Sequence, residues 1–370
     1  MKEIGTYRLR ELDFLRGIAI TLVLFRHQFL FSFTEKMGWI GVDLFFVLSG
    51  YLVSGLLFKE YLRFGYIKPK RFLIRRGFKI YPIYYLFYLV YLIPMIIDHN
   101  YNFRYILSDL TFTQNYIHGW GYAYAASWSL AVEEHFYFGF AILLWISLRK
   151  NFVKLKVESD VKGPSRVEVF IFSTMILCLI FRVLSNLTPY NYARNFTMTH
   201  LRIDSLLAGV LISYLYYFRF DYLKDIYSKN KSLLFIIAIF GISWTPFIEG
   251  ETSYFAKTIG FTLLYISFGI VLLTFLLNSE INRTLNKVFS KSLVDVFSKI
   301  GFCSYSIYII HTFVNLTVSK IQANYHLYYN PFLYFIVTSF MSITIGMMMT
   351  YYIERYFLKT RDRYYPSRVV

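Results

Sequence analysis

The strongest constraint on the fold of this chain is a series of apolar runs of membrane-spanning length that recur along its whole length. An α-helix rises 1.5 Å per residue, so about 20 apolar residues cross the hydrocarbon core of a bilayer. The 370 residues are 56% hydrophobic and 21% aromatic, which is typical of integral membrane proteins. The pattern therefore predicts an all-α integral membrane protein.

The apolar runs predict a single bundle of about ten transmembrane helices. They lie at residues 14–33, 38–58, 80–97, 127–148, 169–187, 199–218, 233–248, 255–277, 301–319 and 331–353. Since the connecting loops are short and no internal repeat is visible, residues 1–370 are predicted to form one membrane domain without an attached soluble domain. The loop at 98–126 is a candidate re-entrant segment.

The Lys and Arg residues are distributed very unevenly among the loops. Thirty of the 39 lie in the two terminal segments and in alternate loops, whereas four lie in the opposite loops. Because cytoplasmic loops carry the excess of Lys and Arg, both termini are predicted to be cytoplasmic. Topology and contact with membrane lipids account for the net charge of +17, so no nucleic-acid partner is expected. The predicted location is the inner (plasma) membrane, in a multi-pass arrangement.

The first apolar run, residues 12–28, contains Arg16 near its start and His27 near its end. Eleven residues separate these two side chains, so they return to nearly the same helix face about 16 Å apart along the axis. Ionisable side chains inside a membrane are expensive and usually functional. Arg16 and His27 are therefore candidate functional residues that lie at different depths of the bilayer on one face of the helix.

Three further spans place ionisable side chains at about the depth of His27. By the predicted topology they lie in the outer half of the membrane. They are Asp43, Glu133, Arg202 and Asp204. At the opposite surface, Arg16 is expected to face the basic run at 68–79.

These two clusters fit the two ends of a ligand with a phosphorylated head and a long arm. Arg offers a bidentate fork to phosphate and Lys a point charge. At the other end, His27 is a candidate base toward a hydroxyl group, oriented by Glu133 or Asp43. This chemistry requires a connected cavity between His27 and the basic cluster.

Six sequence blocks resemble the acyltransferase-3 type membrane O-acyltransferases, which move acyl groups from acyl-CoA to hydroxyls of sugars and related acceptors. The blocks occur in the family's order and cover most of the chain. They are RELDFLRGIAITLVLFRH at 10–27, GVDLFFVLSGYL at 41–52, RRGFKIYP at 75–82, WSLAVEEHFY at 128–137, RIDSLLAG at 202–209 and YSIYIIH at 305–311.

The resemblance implies roles for particular residues. His27 would be the catalytic histidine and Arg16 its essential partner, with a donor-binding basic motif formed by Arg75, Arg76 and Lys79. Lys79 stands where Arg is usual, and His135 where Gln is commoner. The candidates for acceptor binding are Trp128, Arg202, Asp204 and His311.

The expected function is transfer of an acyl group, most simply acetyl, from cytoplasmic acetyl-CoA to a hydroxyl of a surface polysaccharide or its lipid-linked precursor. Lipopolysaccharide and capsule are examples of such acceptors. His27 would act as general base or as transient acyl carrier. A separate extracytoplasmic transferase is an expected partner. No metal is expected, because no His, Cys or Asp cluster has ligand spacing.

Other interpretations stay open at this point. Arg16 could extend to the lipid headgroups, and Arg202 and Asp204 could form a structural pair with each other. A proton-coupled transporter could use the same polar line through the bilayer. An acyltransferase could also act on a small molecule in place of a polysaccharide.

Overall fold

In a computed structural model, helices are the regular secondary structure of the described residues, which are 9–28, 30–156, 163–187, 192–326 and 330–369. The α-helices are α1 (Arg10–His27), α2 (Ser32–Gly38), α3 (Ile40–Phe64), α4 (Pro69–Ile97), α5 (Phe103–Leu110), α6 (Gln114–Ile117), α7 (Trp128–Arg149), α8 (Arg166–Leu187), α9 (Tyr192–Thr197), α10 (Ile203–Phe218), α11 (Phe220–Ser243), α12 (Phe261–Leu277), α13 (Ile281–Phe289), α14 (Lys291–Phe302), α15 (Ser304–Asn324), α16 (Pro331–Met348) and α17 (Arg355–Tyr364). Short 3₁₀ turns lie at Ala125–Ser127 and Thr199–Leu201, and π-helical turns at Ala256–Gly260 and Met349–Glu354.

The predicted all-α membrane fold is confirmed, and each predicted span coincides with a helix. Seven helical segments in the described part of the chain are long and apolar enough to cross a membrane, or eight if the pair α14 and α15, bent by 78°, counts as one span. The estimate of ten was higher because α1 carries five charged side chains and α10 has 16 residues. Neither has the length and apolar composition of a complete span by itself.

Helix α1 runs through the middle of the bundle and packs against α3, α14 and α15. Its two sides belong to different hydrophobic clusters: Ala19 lies in the cluster built with α3, α7 and α10, and Ile20 in the cluster built with α4 and α15. Both side chains are fully buried. The helix that carries Arg16 and His27 is therefore enclosed by protein on both sides.

Helices α3 and α10 form the tightest pair in the bundle, because glycines let their backbones meet. A methyl group on Gly50 would overlap the carbonyl oxygen of Leu206, and one on Gly209 would overlap that of Val47. Small residues allow such close backbone approach where lipid provides no hydrophobic driving force. The pair packs against α1 through α3.

Two contacts bring the chain ends to one end of the bundle. Near the N-terminus, the guanidinium of Arg10 donates to Asp295 at 2.8 Å. Near the C-terminus, Asp362 on α17 accepts a hydrogen bond from Arg75 on α4 at 3.0 Å. The start of α1 and the end of α17 therefore frame the basic end of α4.

Candidate active site

A cavity of about 370 Å³ opens beside His27 at the end of α1, and we name it the histidine cavity. His27 is exposed to it. The other lining residues are Val23, Arg26, Glu35, Gly38, Trp39, Val42, Trp120, Ala125, Ala126, Trp128, Phe196, Glu249, Glu251 and Tyr308. The imidazole of His27 thus faces a protein-lined space in which a substrate can meet it.

Behind His27, away from the cavity, lies a second histidine. The rings of His27 and His311 have their centroids 5.0 Å apart at an angle of 52°. His311 is fully buried on α15, and its Nδ1 lies 2.6 Å from the carbonyl oxygen of Tyr308. His311, a candidate for acceptor binding on sequence grounds, therefore contacts the proposed catalytic histidine from behind.

Aromatic rings form one wall of the histidine cavity. The centroids of Trp120 and Trp128 lie 5.9 Å apart, those of Trp128 and Phe196 5.5 Å, and those of Trp39 and Phe196 6.0 Å. All the pairs meet at steep or tilted angles, the geometry that aromatic pairs prefer. Trp128, a candidate for acceptor binding on sequence grounds, therefore lines the histidine cavity.

Behind that wall, the guanidinium of Arg202 is fully buried. It donates to Asp43 at 2.7 Å and lies 3.6 Å from the ring centroid of Phe261 and 5.4 Å from that of Trp128. Asp204 accepts from Arg182 at 2.5 Å. Arg202 and Asp204 are therefore paired with other residues and not mainly with each other.

This network contributes no side chain to the lining of the histidine cavity. Asp43, predicted to orient His27, is fully buried and bonded to Arg202. Because a buried charge that loses its partner is strongly destabilising, each of these pairs holds its helices together. The sequence placed Asp43 at a suitable depth, but the side chain points to α10.

A second cavity, of about 140 Å³, lies farther along α1 and is named the central cavity. Its charged lining residues are Arg16, Arg76, Lys79 and Glu133. Glu133 accepts hydrogen bonds from Ser49 at 2.6 Å and from the hydroxyl of Tyr137 at 2.7 Å. Glu133 thus faces Arg16 across this cavity and does not line the cavity of His27, where it was predicted to act.

A third cavity lies at the basic end of α4 and is named the basic cavity. It is lined by Leu56, Leu57, Glu60, Arg71, Phe72, Arg75, Arg76, Lys79, Arg361, Ser367, Arg368 and Val369. Arg75, Arg76 and Lys79 of the block RRGFKIYP line this cavity, whereas Arg16, which was also predicted to bind the donor phosphates, lines the central cavity. Arg75 also bonds to Asp362, Lys79 forms an ion pair with Glu354, and Arg76 lies 4.6 Å from the ring centroid of Tyr137.

The three cavities form a series. Arg76 and Lys79 line both the basic and the central cavity, while Val42 and Tyr308 line both the central and the histidine cavity. The connection predicted from the sequence therefore takes the form of adjoining chambers that meet at shared side chains. The basic cavity, of about 110 Å³, and the central cavity, of about 140 Å³, are both smaller than the histidine cavity.

The loop that carries Trp120 is anchored by a buried carboxylate outside the membrane-spanning helices. Asp109 accepts hydrogen bonds from the backbone N–H groups of Tyr122 at 2.8 Å and Ala123 at 3.0 Å, and from the hydroxyl of Tyr88 at 3.0 Å. Burial nevertheless raises the pKa of Asp109 to about 6, because it disfavours the charged form. This anchor holds the loop against the aromatic wall.

Several residues of the site escaped the sequence analysis. Glu354, the partner of Lys79, was assigned to a terminal segment, although an acidic residue at the end of an apolar run was a usable signal. Tyr308, three residues before His311, shares its helix face and could have been found by helical spacing. Val42 carries no chemical signal at all, because its importance comes only from where it stands between two cavities.

A helical bundle with several membrane-length helices, a histidine cavity and a basic cavity in series is compatible with a membrane-embedded transferase. Comparison with known families agrees: residues 9–351 match the acyltransferase-3 family, described as "Acyltransferase domain". The chain belongs to this family, which confirms the resemblance noted in its sequence blocks.

Two relatives carry names that describe an activity. The chain is 26% identical over 321 residues to a protein of Listeria monocytogenes named peptidoglycan O-acetyltransferase OatA, an alignment that covers 81% of this chain and 48% of the relative. It is 26% identical over 270 residues to O-acetyltransferase OatA of Staphylococcus aureus, covering 68% of this chain and 42% of the relative. The chain thus spans about half the length of these relatives. No solved structure matches it.

Proposed function

We propose that this protein is an O-acetyltransferase that moves an acetyl group from acetyl-CoA, through the bundle, to a sugar hydroxyl of a cell-wall or surface polysaccharide or its lipid-linked precursor. One observation carries the proposal: three adjoining cavities lead from clustered Arg and Lys side chains to the exposed imidazole of His27. The Arg and Lys side chains suit the phosphates at one end of the donor, and the imidazole of His27 suits a general base beside the thioester at the other end.

The donor's phosphates would lie in the basic cavity, against Arg75, Arg76 and Lys79, with Arg16 farther along the path. Cavities that enclose drug-sized ligands measure about 300–1,000 Å³. The central cavity, at about 140 Å³, and the basic cavity, at about 110 Å³, are both smaller than this. The proposal therefore requires both cavities to widen when the donor binds, with the pantetheine arm passing Glu133 and Tyr308 and the nucleotide staying at the basic end.

The acceptor would occupy the histidine cavity. A sugar ring presents flat C–H faces that stack on indole rings and hydroxyls that bond to carboxylates, and this cavity offers Trp120, Trp128 and Glu249. The printed name of the Listeria relative, peptidoglycan O-acetyltransferase, supports a cell-wall sugar. Arg202 and Asp204 would then act by supporting the wall from behind.

The proposed reaction balances without a metal or a further cofactor. His27 removes the proton of the acceptor hydroxyl as the oxygen attacks the thioester carbonyl carbon. The C–S bond breaks, and the imidazolium returns the proton to the departing thiolate. Transfer through an acetylated His27 is the two-step form of the same reaction.

The proposed topology places the basic cavity and both chain ends at the cytoplasmic face of the plasma membrane, and the histidine cavity in the outer half. The contacts of Arg10 and Arg75 with distant segments at one end of the bundle support this arrangement. Residues 1–370 would form one acyltransferase unit. A separate extracytoplasmic transferase that receives the acetyl group is part of the same proposal.

The test uses membranes that contain the wild-type chain, His27→Ala or the control His326→Ala, supplied with radiolabelled acetyl-CoA. We expect label in the glycan fraction for the wild type and for the control, whose histidine is exposed and lines none of the three cavities. His27→Ala should incorporate none. Equal incorporation by His27→Ala would overturn the role of His27, and proton-coupled solute uptake without acetyl-CoA would favour a transporter.

A further inference from the structure

His311 has one ring nitrogen with a defined role and one without. Its Nδ1 lies 2.6 Å from the carbonyl oxygen of Tyr308. A carbonyl oxygen can only accept, so Nδ1 carries the proton and donates it. In the neutral ring, Nε2 then holds the lone pair, and it is buried without a hydrogen-bond partner among the described residues.

An unpaired buried acceptor is costly, and in a native structure it usually marks a function. The ring that contacts His311 on the cavity side is that of His27. The two rings are not hydrogen-bonded in this structure, but at a centroid distance of 5.0 Å a rotation of the His27 ring can bring a nitrogen of each ring within about 2.7–3.2 Å, the ordinary hydrogen-bond range. The free lone pair therefore lies within reach of the proposed catalytic imidazole.

The same face of α15 holds the end of α1 in a second way. Asn315, one turn beyond His311, donates from Nδ2 to the backbone carbonyl of His27 at 2.9 Å. Its Oδ1 accepts a hydrogen bond from Gln28 at 3.0 Å. The backbone of His27 is thereby held against α15.

Three carboxylates that could orient His27 are bonded to other groups, and two more, Glu35 and Glu251, line the histidine cavity itself, which His311 does not. Asp43 is bonded to Arg202, and Glu133 to Ser49 and Tyr137 in the central cavity. Glu249, which lines the histidine cavity, is paired with Arg26 at 2.8 Å. In the described part of the chain, His311 is the polar group behind the ring of His27.

We propose that His311 is the positioning residue of His27: its Nε2 accepts the N–H of His27, which leaves the lone pair of the other His27 nitrogen facing the histidine cavity. This inference rests on the proposed function. A histidine thus takes the place that a carboxylate occupies behind the base of many hydrolases. It fixes the tautomer of His27 and touches neither donor nor acceptor.

In the proposed step, the proton of the acceptor hydroxyl moves to the cavity-facing nitrogen of His27, and the acceptor oxygen bonds to the acetyl carbon. His27 becomes an imidazolium whose second N–H remains bonded to His311. After the C–S bond breaks, the proton passes to the thiolate. His311 keeps the same proton on Nδ1 throughout.

The test compares His311→Phe, His311→Gln and the control His326→Phe in membranes supplied with radiolabelled acetyl-CoA. Phe keeps the volume but removes both nitrogens, whereas Gln offers an oxygen to His27 and an amide donor to Tyr308. We expect His311→Phe to lower kcat about 100-fold, the usual scale of general-base catalysis, with the KM for acetyl-CoA within twofold of wild type. His311→Gln should recover at least about tenfold.

A second measurement is independent of turnover. Magnetic resonance of the reconstituted full chain with ¹⁵N-labelled histidine should find one tautomer of His27 in the wild type and a mixture in His311→Phe. Thermal unfolding in detergent identifies folded variants. Unchanged kcat and an unchanged tautomer in a folded His311→Phe chain would overturn the proposal, as would failure of His311→Gln to recover activity.

The two proposals fail in different ways. If the wild-type chain transfers no acetyl group, but His27 has one tautomer in the wild type and a mixture in His311→Phe, the proposed function would be overturned and the positioning role would stand. If the wild-type chain transfers acetyl and the His311→Phe variant is equally active, the positioning role would be overturned and the proposed function would stand.

Discussion

Buried charges occur in two regions of this bundle, and the two sets are arranged differently. The first set closes on itself behind the aromatic wall of the histidine cavity and consists of Asp43, Arg182, Arg202 and Asp204. The second set faces open space in the central cavity and consists of Arg16, Arg76, Lys79 and Glu133. Both sets lie in or next to apolar segments of membrane-spanning length, where a charged side chain is energetically costly.

The difference teaches that an intramembrane charge is no evidence of substrate contact by itself. In the first set each charge bonds to another charge, so removal of one should cost stability. The second set also has partners, such as Glu354 for Lys79, but its side chains line a cavity, so removal of one should cost affinity or rate. Four experiments would break or sharpen this distinction.

The largest effect is expected for Arg202→Met, which leaves Asp43 buried without its partner. The free energy of unfolding should fall by about 3–5 kcal/mol, as when a buried ion pair loses one member. Thermal unfolding in detergent measures it, and the double variant Asp43→Leu/Arg202→Met should recover most of the loss. An equally stable Arg202→Met chain with a raised acceptor KM would place Arg202 in the binding site instead.

The second effect is expected for Val42→Trp, which fills the point where the central and histidine cavities meet. The indole should displace the donor thioester from His27. The rate of acetyl transfer should then drop about 100-fold, the loss that a displacement of about 1 Å can cause. Acetyl-CoA binding, measured by calorimetry, should remain, and Val42→Ala should stay active. Full activity in Val42→Trp would mean that the donor takes another path to His27.

A smaller effect is expected for Arg76→Ala, because Arg76 lines both the basic and the central cavity. Loss of one charge-assisted hydrogen bond, worth about 1.5–3 kcal/mol, should raise the KM for acetyl-CoA at least about tenfold. The acceptor KM should not change. Arg149→Ala is the matched control, since Arg149 lies over the ring of Trp145 at the end of α7. An unchanged donor KM would contradict the assignment.

The smallest effect concerns Asp109, the anchor beside the aromatic wall. Its raised pKa, about 6, means that the folded chain binds this proton more tightly than the unfolded chain. The contribution of Asp109 to the free energy of unfolding should therefore increase as the pH falls through 6 and be complete below about 4. Between pH 7.5 and pH 5 the wild type should gain about 1 kcal/mol relative to Asp109→Asn. A parallel pH dependence of the two chains would exclude this linkage.

Much of the molecule could be predicted because the signals are local. Apolar runs of sufficient length specify helices, and the 1.5 Å rise per residue sets how far Arg16 lies from His27 along α1. The basic block at 75–82 also stays together, since its members lie on consecutive turns of α4. The class of protein, its helices and the two ends of the proposed path follow from the chain alone.

Only the tertiary structure decided which side chains face each other. Depth along a helix is a property of the sequence, but the direction in which a side chain points depends on helix rotation and tilt, which packing against neighbours sets. For that reason Asp43 meets Arg202, Glu133 meets Ser49, and His27 meets His311. The sequence instead made Asp43 and Glu133 the candidates to orient His27, and His311 a candidate for acceptor binding.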